Sequence, residues 1–233
     1  MTTTPLPSPE TPDIALWLVH LDGPPSDPGD PDQTALLSEP EKAKANRFHF
    51  ERDARRYRAS HTALRRLLAQ VTGQSARALA FVEGPFGKPR LPGEGLPHFN
   101  MSHSGDWALI GVCADAPIGV DIEVPRDMSD LESLAQRNFS AAEFRAMLAV
   151  DPAQRLHAFL RCWTRKEACL KAVGSGLSIE PGVFEAGIEA SPRSTTIDVG
   201  GQACGMVVHS LALPLNGLAA CARLADTSLS LAM

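Results

Sequence analysis

The stretch from Leu156 to Lys171 constrains the fold more than any other part of the chain. Leu156, Phe159, Leu160 and Trp163 recur at spacings of three and four, which predicts a helix with one buried face. The same stripe runs on through Glu167 and Lys171, four residues apart and therefore side by side. A carboxylate on an inward stripe is costly unless a cation sits beside it. Either Lys171 or a metal ion would meet that need.

A second pattern lies upstream. Ile118, Val120, Ile122 and Val124 alternate with Gly119, Asp121 and Glu123, the period of a half-buried strand. Alternation places Asp121 and Glu123 on one face, about 6–7 Å apart. Hard divalent cations take oxygen ligands, and Mg2+ is held by a few carboxylates together with waters and substrate phosphates. Glu167, brought in from the helix, makes a third oxygen donor, so Asp121, Glu123 and Glu167 are the candidate metal ligands. The plain alternative is a solvated strand face carrying two acids.

Composition narrows the class. With 233 residues and 44% hydrophobic content the chain suits one globular unit or two small lobes. No apolar run approaches a membrane span, so no membrane partner is expected. The Thr- and Pro-rich start has neither a basic segment nor an apolar core and predicts a disordered leader over 1–13. Five cysteines without a C-x-x-C pair suggest neither a disulfide framework nor a zinc site, and fit a reducing cytoplasm. A monomer is expected. The formal charge of −5 argues against nucleic acid as a partner. That net value hides a basic segment: from Lys42 to Arg66 nine Lys or Arg face two acids, Glu51 and Asp53. Ser38 with Glu41 forms a capping-box pattern, and a basic helix is predicted to follow. It is either a solvated face or a surface for a phosphate-rich ligand, with Arg65 and Arg66 read as ordinary surface.

Elsewhere, Ile14–Leu21, Leu79–Val82, Trp107–Cys113, Val183–Ile188, Thr195–Val199, Met206–Leu213 and Leu218–Leu224 are predicted strands. Asp22–Asp32 is a predicted exposed loop and Gly84–Gly95 a turn-rich connection. Leu131–Gln136 and Ala141–Ala149 are predicted helices, the second capped by Ser140 with Glu143. The stripe helix should stop near Gly174. Helices and strands mix without regular βαβ alternation, so the fold class is α+β, and no sequence repeat is evident.

Gly119-Val120-Asp121-Ile122-Glu123 and Trp163-Thr164-Arg165-Lys166-Glu167-Ala168-Cys169-Leu170-Lys171 together resemble the signature pair of the 4'-phosphopantetheinyl transferases of the Sfp (surfactin-synthetase-activating) type. Gly174-Ser175-Gly176-Leu177, Gly87-Lys88-Pro89 and Phe99-Asn100-Met101-Ser102-His103-Ser104 resemble further family blocks, in family order. The resemblance covers about residues 38–177. It implies two similar lobes in one chain, 14–113 and 114–233, a pseudo-dimer of helix-plus-antiparallel-sheet units with coenzyme A in the cleft. It implies Mg2+, or Mn2+ in its place, on Asp121, Glu123 and Glu167, with Lys171 pairing with a phosphate. Lys44 aligns with a basic position that contacts coenzyme A in relatives, and Arg47 and Arg56 are nearby candidates. Gly87, Lys88 and Pro89 would lie against adenine and ribose. Asn100, Met101, Ser102 and His103 would line the nucleotide pocket, with His103 near a phosphate. Lys166 would bond a phosphate or brace Glu167. Ile122, between the two acids, cannot ligate a metal.

The implied reaction moves the phosphopantetheine arm of coenzyme A to a serine of an apo acyl or peptidyl carrier protein, with Asp121, Glu167 and Lys171 as the catalytic set. Glu167 or a water on the metal would accept the serine proton. Two other readings use the same residues: a non-catalytic module that binds coenzyme A or a carrier protein, and a Mg2+-dependent phosphohydrolase.

Overall fold

A computed structural model describes residues 1–9, 13–22 and 34–225. In chain order the strands and α-helices are β1 (Thr2–Leu6), β2 (Ile14–His20), α1 (Glu39–Ala45), α2 (Glu51–Thr72), β3 (Val82–Glu83), β4 (Pro89–Arg90), β5 (His98–Ser104), β6 (Trp107–Cys113) and β7 (Ile118–Glu123). They continue as α3 (Leu131–Asn138), α4 (Ala141–Ala149), α5 (Arg155–Val173), β8 (Arg193–Val199), β9 (Gln202–Leu211) and β10 (Leu218–Leu224). The mixture of helices with antiparallel sheets is the expected α+β class.

Alternation along the strands builds the layers. In β2, Ile14, Leu16 and Leu18 face one way and Val19 the other, so both faces are apolar. The first sheet, ordered β1-β2-β6-β5, presents Val19, Phe99 and Ile110 to Leu64 and Leu68 of α2. The second, ordered β7-β10-β9-β8, presents Met206, Val208 and Ala222 to Leu170 and Val173 of α5. The remaining faces meet in a middle core of Leu16, Leu18, Leu109, Ile118, Val120 and Cys221. Each lobe is thus a sheet with a helix on its outer face, and the two sheets share an apolar interior. In each, a strand leads to a long helix and the lobe's last strand returns beside that first strand: β6 beside β2, and β10 beside β7.

The repeat is also local. Ser38 and Ser140 each open a capping box with Glu41 and Glu143. Each of these glutamates then meets a buried cation on the lobe's long helix. Arg65 lies 2.8 Å from Glu41 and donates to the carbonyls of Ala76 and Leu79. Lys166 lies 2.8 Å from Glu143 and donates to the carbonyls of Pro181 and Phe184. Arg65 is 1% exposed and is not the surface residue expected of it.

That pair explains why the basic segment is two helices rather than one. An unbroken helix would carry Glu41 about 36 Å from Arg65, 24 residues on. The chain instead leaves α1 at Asn46, is extended at Phe50, and re-enters as α2, with the Phe48 ring tilted against Tyr57 at 5.4 Å.

Other expectations change as well. Residues 2–6 are no disordered leader: β1 pairs with β2 from Thr2↔His20 to Leu6↔Leu16, which satisfies an otherwise open sheet edge. The loop expected over Asp22–Asp32 lies beyond Asp22 outside the described residues. Of Leu79–Val82 only Val82 joins a strand, the two-residue β3. Val183–Ile188 is irregular, because side chains take its backbone groups. The carbonyls of Phe184 and Ala186 accept from Lys166 and Arg165, and the amides of Ala186 and Gly187 donate to Glu143. Among the described residues no helix is long and apolar enough to cross a membrane.

Candidate active site

β5, β7 and α5 converge on one cavity of about 440 Å³. The odd face of β7 carries Gly119, Asp121 and Glu123, and α5 lies against it in direct backbone contact. A Cβ at Gly119 would stand 2.0 Å from the Ala168 carbonyl oxygen and 2.4 Å from the Ala172 amide. Only glycine admits a helix this close. The approach sets Lys171 and Glu167, on successive turns of α5, beside the acids of β7. Asp121, Glu123, Glu167, Lys171 and Trp163 all line the cavity, and Met101, Ser102 and His103 close it from β5.

Lys171 Nζ stands 2.6 Å from Asp121 Oδ1 and donates to Ser102 Oγ at 3.0 Å. Ser102 Oγ in turn donates to Asp121 Oδ1 at 2.7 Å. Ser104 repeats the arrangement one rung along, donating to Glu123 Oε2 at 2.8 Å and accepting from the Val124 amide. Asp121 Oδ2 is buried without a hydrogen-bond partner.

Burial raises the pKa of all three acids. At Asp121 it outweighs the opposing effect of Lys171. At Glu123 it outweighs Ser104, with Asp121 adding to it, and at Glu167 it outweighs Lys171, with Asp121 and Glu123 adding to it. Three desolvated carboxylates that repel one another, one with an orphaned oxygen, make a donor set suited to a hard cation. They do not stand as a ready cage: among the described residues no three Asp, Glu, His or Cys side chains are grouped closely enough to hold one ion. Lys171 is the cation at Asp121 in this arrangement.

Several expected site residues lie elsewhere. Lys166 is fully buried against Glu143, Pro181 and Phe184, so it neither reaches the cavity nor braces Glu167. Neighbouring helix residues point about 100° apart, and the turn that aims Glu167 at the cleft aims Lys166 into the lobe. Asn100 is buried too, its Oδ1 accepting from the Val120 amide at 2.9 Å, so it joins the sheets instead of lining the pocket. Arg56 is committed to Asp22, with Nε 3.1 Å from both carboxylate oxygens, and that bond holds the Asp22 pKa below its usual value. Lys88 sends its ammonium to the carbonyls of Ile118 and Ala172, at 2.9 and 3.0 Å, and burial lowers its pKa to about 7. Gly87 and Pro89 flank it in the β3–β4 turn, with Gly87 at φ 79°. Lys44 and Arg47 are exposed, Lys44 lying 5.5 Å over the Tyr57 ring, and neither lines the cavity.

Sequence reasoning missed Trp163 as a wall of the cavity and Ser102 and Ser104 as the partners of the acids. A signal for the serines existed: they repeat at the period of two that Asp121 and Glu123 show, and the two pairs match rung for rung.

The chain resembles known proteins over most of its length. Residues 117–221 match the model of the 4'-phosphopantetheinyl transferase superfamily, and residues 26–114 match that of the 4'-phosphopantetheinyl transferase N-terminal region. The chain is 39% identical over 170 residues to 4'-phosphopantetheinyl transferase HetI of Nostoc sp., covering 71% of this chain and 70% of that protein. It is 32% identical over 168 residues to 4'-phosphopantetheinyl transferase Sfp of Bacillus subtilis, covering 71% and 73%. Among solved structures, the holo-acyl-carrier-protein synthase of Thermotoga maritima overlays with a TM-score of 0.31 at 21% identity, over 47% of this chain and 62% of that one. With HetI and Sfp each matched over more than two thirds of their length, this chain belongs to the 4'-phosphopantetheinyl transferase superfamily.

Proposed function

We propose that this chain transfers the 4'-phosphopantetheine arm of coenzyme A to a serine of an apo acyl or peptidyl carrier protein, releasing adenosine 3',5'-bisphosphate. The observation that carries this reading is the convergence of Asp121, Glu123, Glu167 and Lys171 on one cavity. The coenzyme would lie between the lobes 14–113 and 114–233. Lys44 of α1 and Arg47 just beyond it would meet its phosphates, and the backbone of Gly87, Lys88 and Pro89 its adenosine end. The chain would act as a monomer in the cytoplasm, a reducing compartment that fits its five buried, free thiols.

In the transfer the serine oxygen bonds to the phosphorus that carries the pantetheine arm. The bond from that phosphorus to the bridging oxygen breaks, and the bisphosphate leaves with that oxygen. Such a step needs alignment and charge neutralisation rather than covalent help from the protein. Glu167, its pKa raised by burial, is a stronger proton acceptor than an ordinary carboxylate and would take the serine proton. Lys171 would turn its ammonium to the diphosphate and hold the charge that develops on the departing group. Ser102 and Ser104 keep Asp121 and Glu123 in place throughout. Mg2+ or Mn2+ on Asp121, Glu123 and Glu167, when bound, would withdraw charge from the phosphate oxygens.

The test is intact mass of an apo carrier protein incubated with the full chain, coenzyme A and Mg2+. The carrier is expected to gain the phosphopantetheine mass, and Glu167→Ala to slow that gain by about a hundred-fold or more without lowering Tm. Hydrolysis of coenzyme A with no change in the carrier, or wild-type transfer by Glu167→Ala, would overturn the assignment.

A further inference from the structure

The cations on and around α5 divide into two kinds. Lys88, Lys166 and Arg165 are fastened to backbone carbonyls: Ile118 and Ala172, Pro181 and Phe184, Ala186 and Ser191. A carbonyl in a helix, strand or packed loop does not move aside, so these three are structural. Lys171 bonds only to side chains, Ser102 Oγ and Asp121 Oδ1, from the wall of the cavity, with 28% of its side chain exposed. It can leave by rotating its own four-carbon stem, and it has open space to rotate into.

The carboxylate it holds is the innermost of the three acids. A divalent ion drawn to the unpartnered Asp121 Oδ2 would share one carboxylate with the ammonium on Oδ1, and like charges that close repel. The ion therefore gains Asp121 only if Lys171 goes, and Lys171 goes only if another anion receives it. A diphosphate in the cavity offers that anion.

We infer that Lys171 is a placeholder cation, which keeps Asp121 from a free divalent ion and yields it only when a diphosphate arrives to take the ammonium. Metal and coenzyme then enter as a coupled pair, and the chain does not load metal alone. The inference rests on the coenzyme A reading of the cavity and adds to it an order of assembly. It also accounts for an orphaned Asp121 oxygen with no ready three-acid cage among the described residues.

The experiment is a Mn2+ titration of the full chain, followed by the electron paramagnetic resonance of free Mn2+. It is run without and with coenzyme A and corrected for Mn2+ bound by coenzyme A alone. In the wild type coenzyme A is expected to tighten Mn2+ binding by tenfold or more, within the usual range of coupling between sites. Lys171→Met is expected to bind Mn2+ alone about tenfold more tightly than the wild type and to lose most of the gain from coenzyme A. Circular dichroism checks that the variant folds. Should it not fold, Ser102→Ala, which frees one bond of the ammonium, is expected to shift Mn2+ binding the same way by a smaller factor. Equal Mn2+ affinity with and without coenzyme A in the wild type, or no tightening in a folded variant, overturns the inference. Carrier transfer with uncoupled Mn2+ binding would sink this inference alone, and coupled binding without transfer would sink the functional reading alone.

Discussion

His61 illustrates how far one side chain's surroundings can reach. Its ring stacks on Tyr57 with centroids 3.8 Å apart, and its Nδ1 lies 3.0 Å from the Tyr57 carbonyl. A carbonyl only accepts, so Nδ1 carries the proton and Nε2 is the atom that titrates. Burial above all lowers the pKa to about 4; Glu41 and the bond to Tyr57 oppose it, while Lys44 and His103 add to it. An unfolded histidine titrates near 6.5. Below that pH the unfolded chain takes up a proton that the folded chain refuses. The stability His61 contributes is therefore complete above about pH 6.5 and is lost as pH falls towards 4, a total on the order of 3 kcal/mol. His61→Gln should flatten the decline in urea-unfolding free energy between pH 7 and 4.5; parallel curves for variant and wild type would refute this. At this scale the sequence is legible where backbone geometry alone decides. The period of two pairs Asp121 with Glu123, and the step of four pairs Glu167 with Lys171. Where a long cation ends is not legible, because a Lys or Arg stem reaches acceptors in any direction. The readings of Lys166, Arg56 and Arg65 fail for that reason.

Elements are set by what they must touch. α5 can rest on β7 because Gly119 has no side chain, and the contact it would obstruct is with backbone. A methyl there meets the Ala168 carbonyl oxygen and the Ala172 amide, neither of which can rotate away. Gly119→Ala must lift the helix, at an expected cost above about 3 kcal/mol, and must draw Lys171 off Asp121. Gly205→Ala in β9, where a Cβ meets nothing within 4 Å, serves as the control and should leave Tm within a degree or two. Paired thermal melts decide it: equal Tm for the two variants would show that the helix does not press on the strand. The amphipathic stripe of α5 and the alternation of β7 were readable because one face of each is buried. β5 was not, since Asn100, Ser102 and Ser104 alternate polar residues that water could equally have satisfied; their partners lie on β7. The break between α1 and α2 was hidden likewise, because it serves a contact between Glu41 and Arg65.

The described residues form two copies of one plan, of which the second carries the three acids and the lysine of the cavity. Aligning Arg65 with Lys166 sets Arg66 at the place of Glu167 and Gln70 at that of Lys171, so the first lobe lacks the acid and the ammonium. The repeat escaped notice in the sequence because a handful of residues carries it, Ser38, Glu41 and Arg65 against Ser140, Glu143 and Lys166, at spacings that differ by one. Function then depends on how the two copies are joined. Behind the apolar middle core, β5 of one sheet and β7 of the other run side by side without a backbone ladder, linked through Asn100, Ser102 and Ser104. Two of those three links hold the acids of the site, so the seam between the lobes is also the scaffold of the cavity. Asn100 is the link that does not touch the chemistry. Asn100→Ala leaves the buried Val120 amide without its acceptor, an expected loss of about 1–3 kcal/mol. If the seam positions the acids, transfer activity should fall further than the change in Tm explains, and the Val120 amide should exchange with deuterium faster while amides in the α2 and α5 cores keep their protection. Unchanged exchange at Val120 would mean that the apolar core alone holds the lobes in register and that Asn100 is incidental to it.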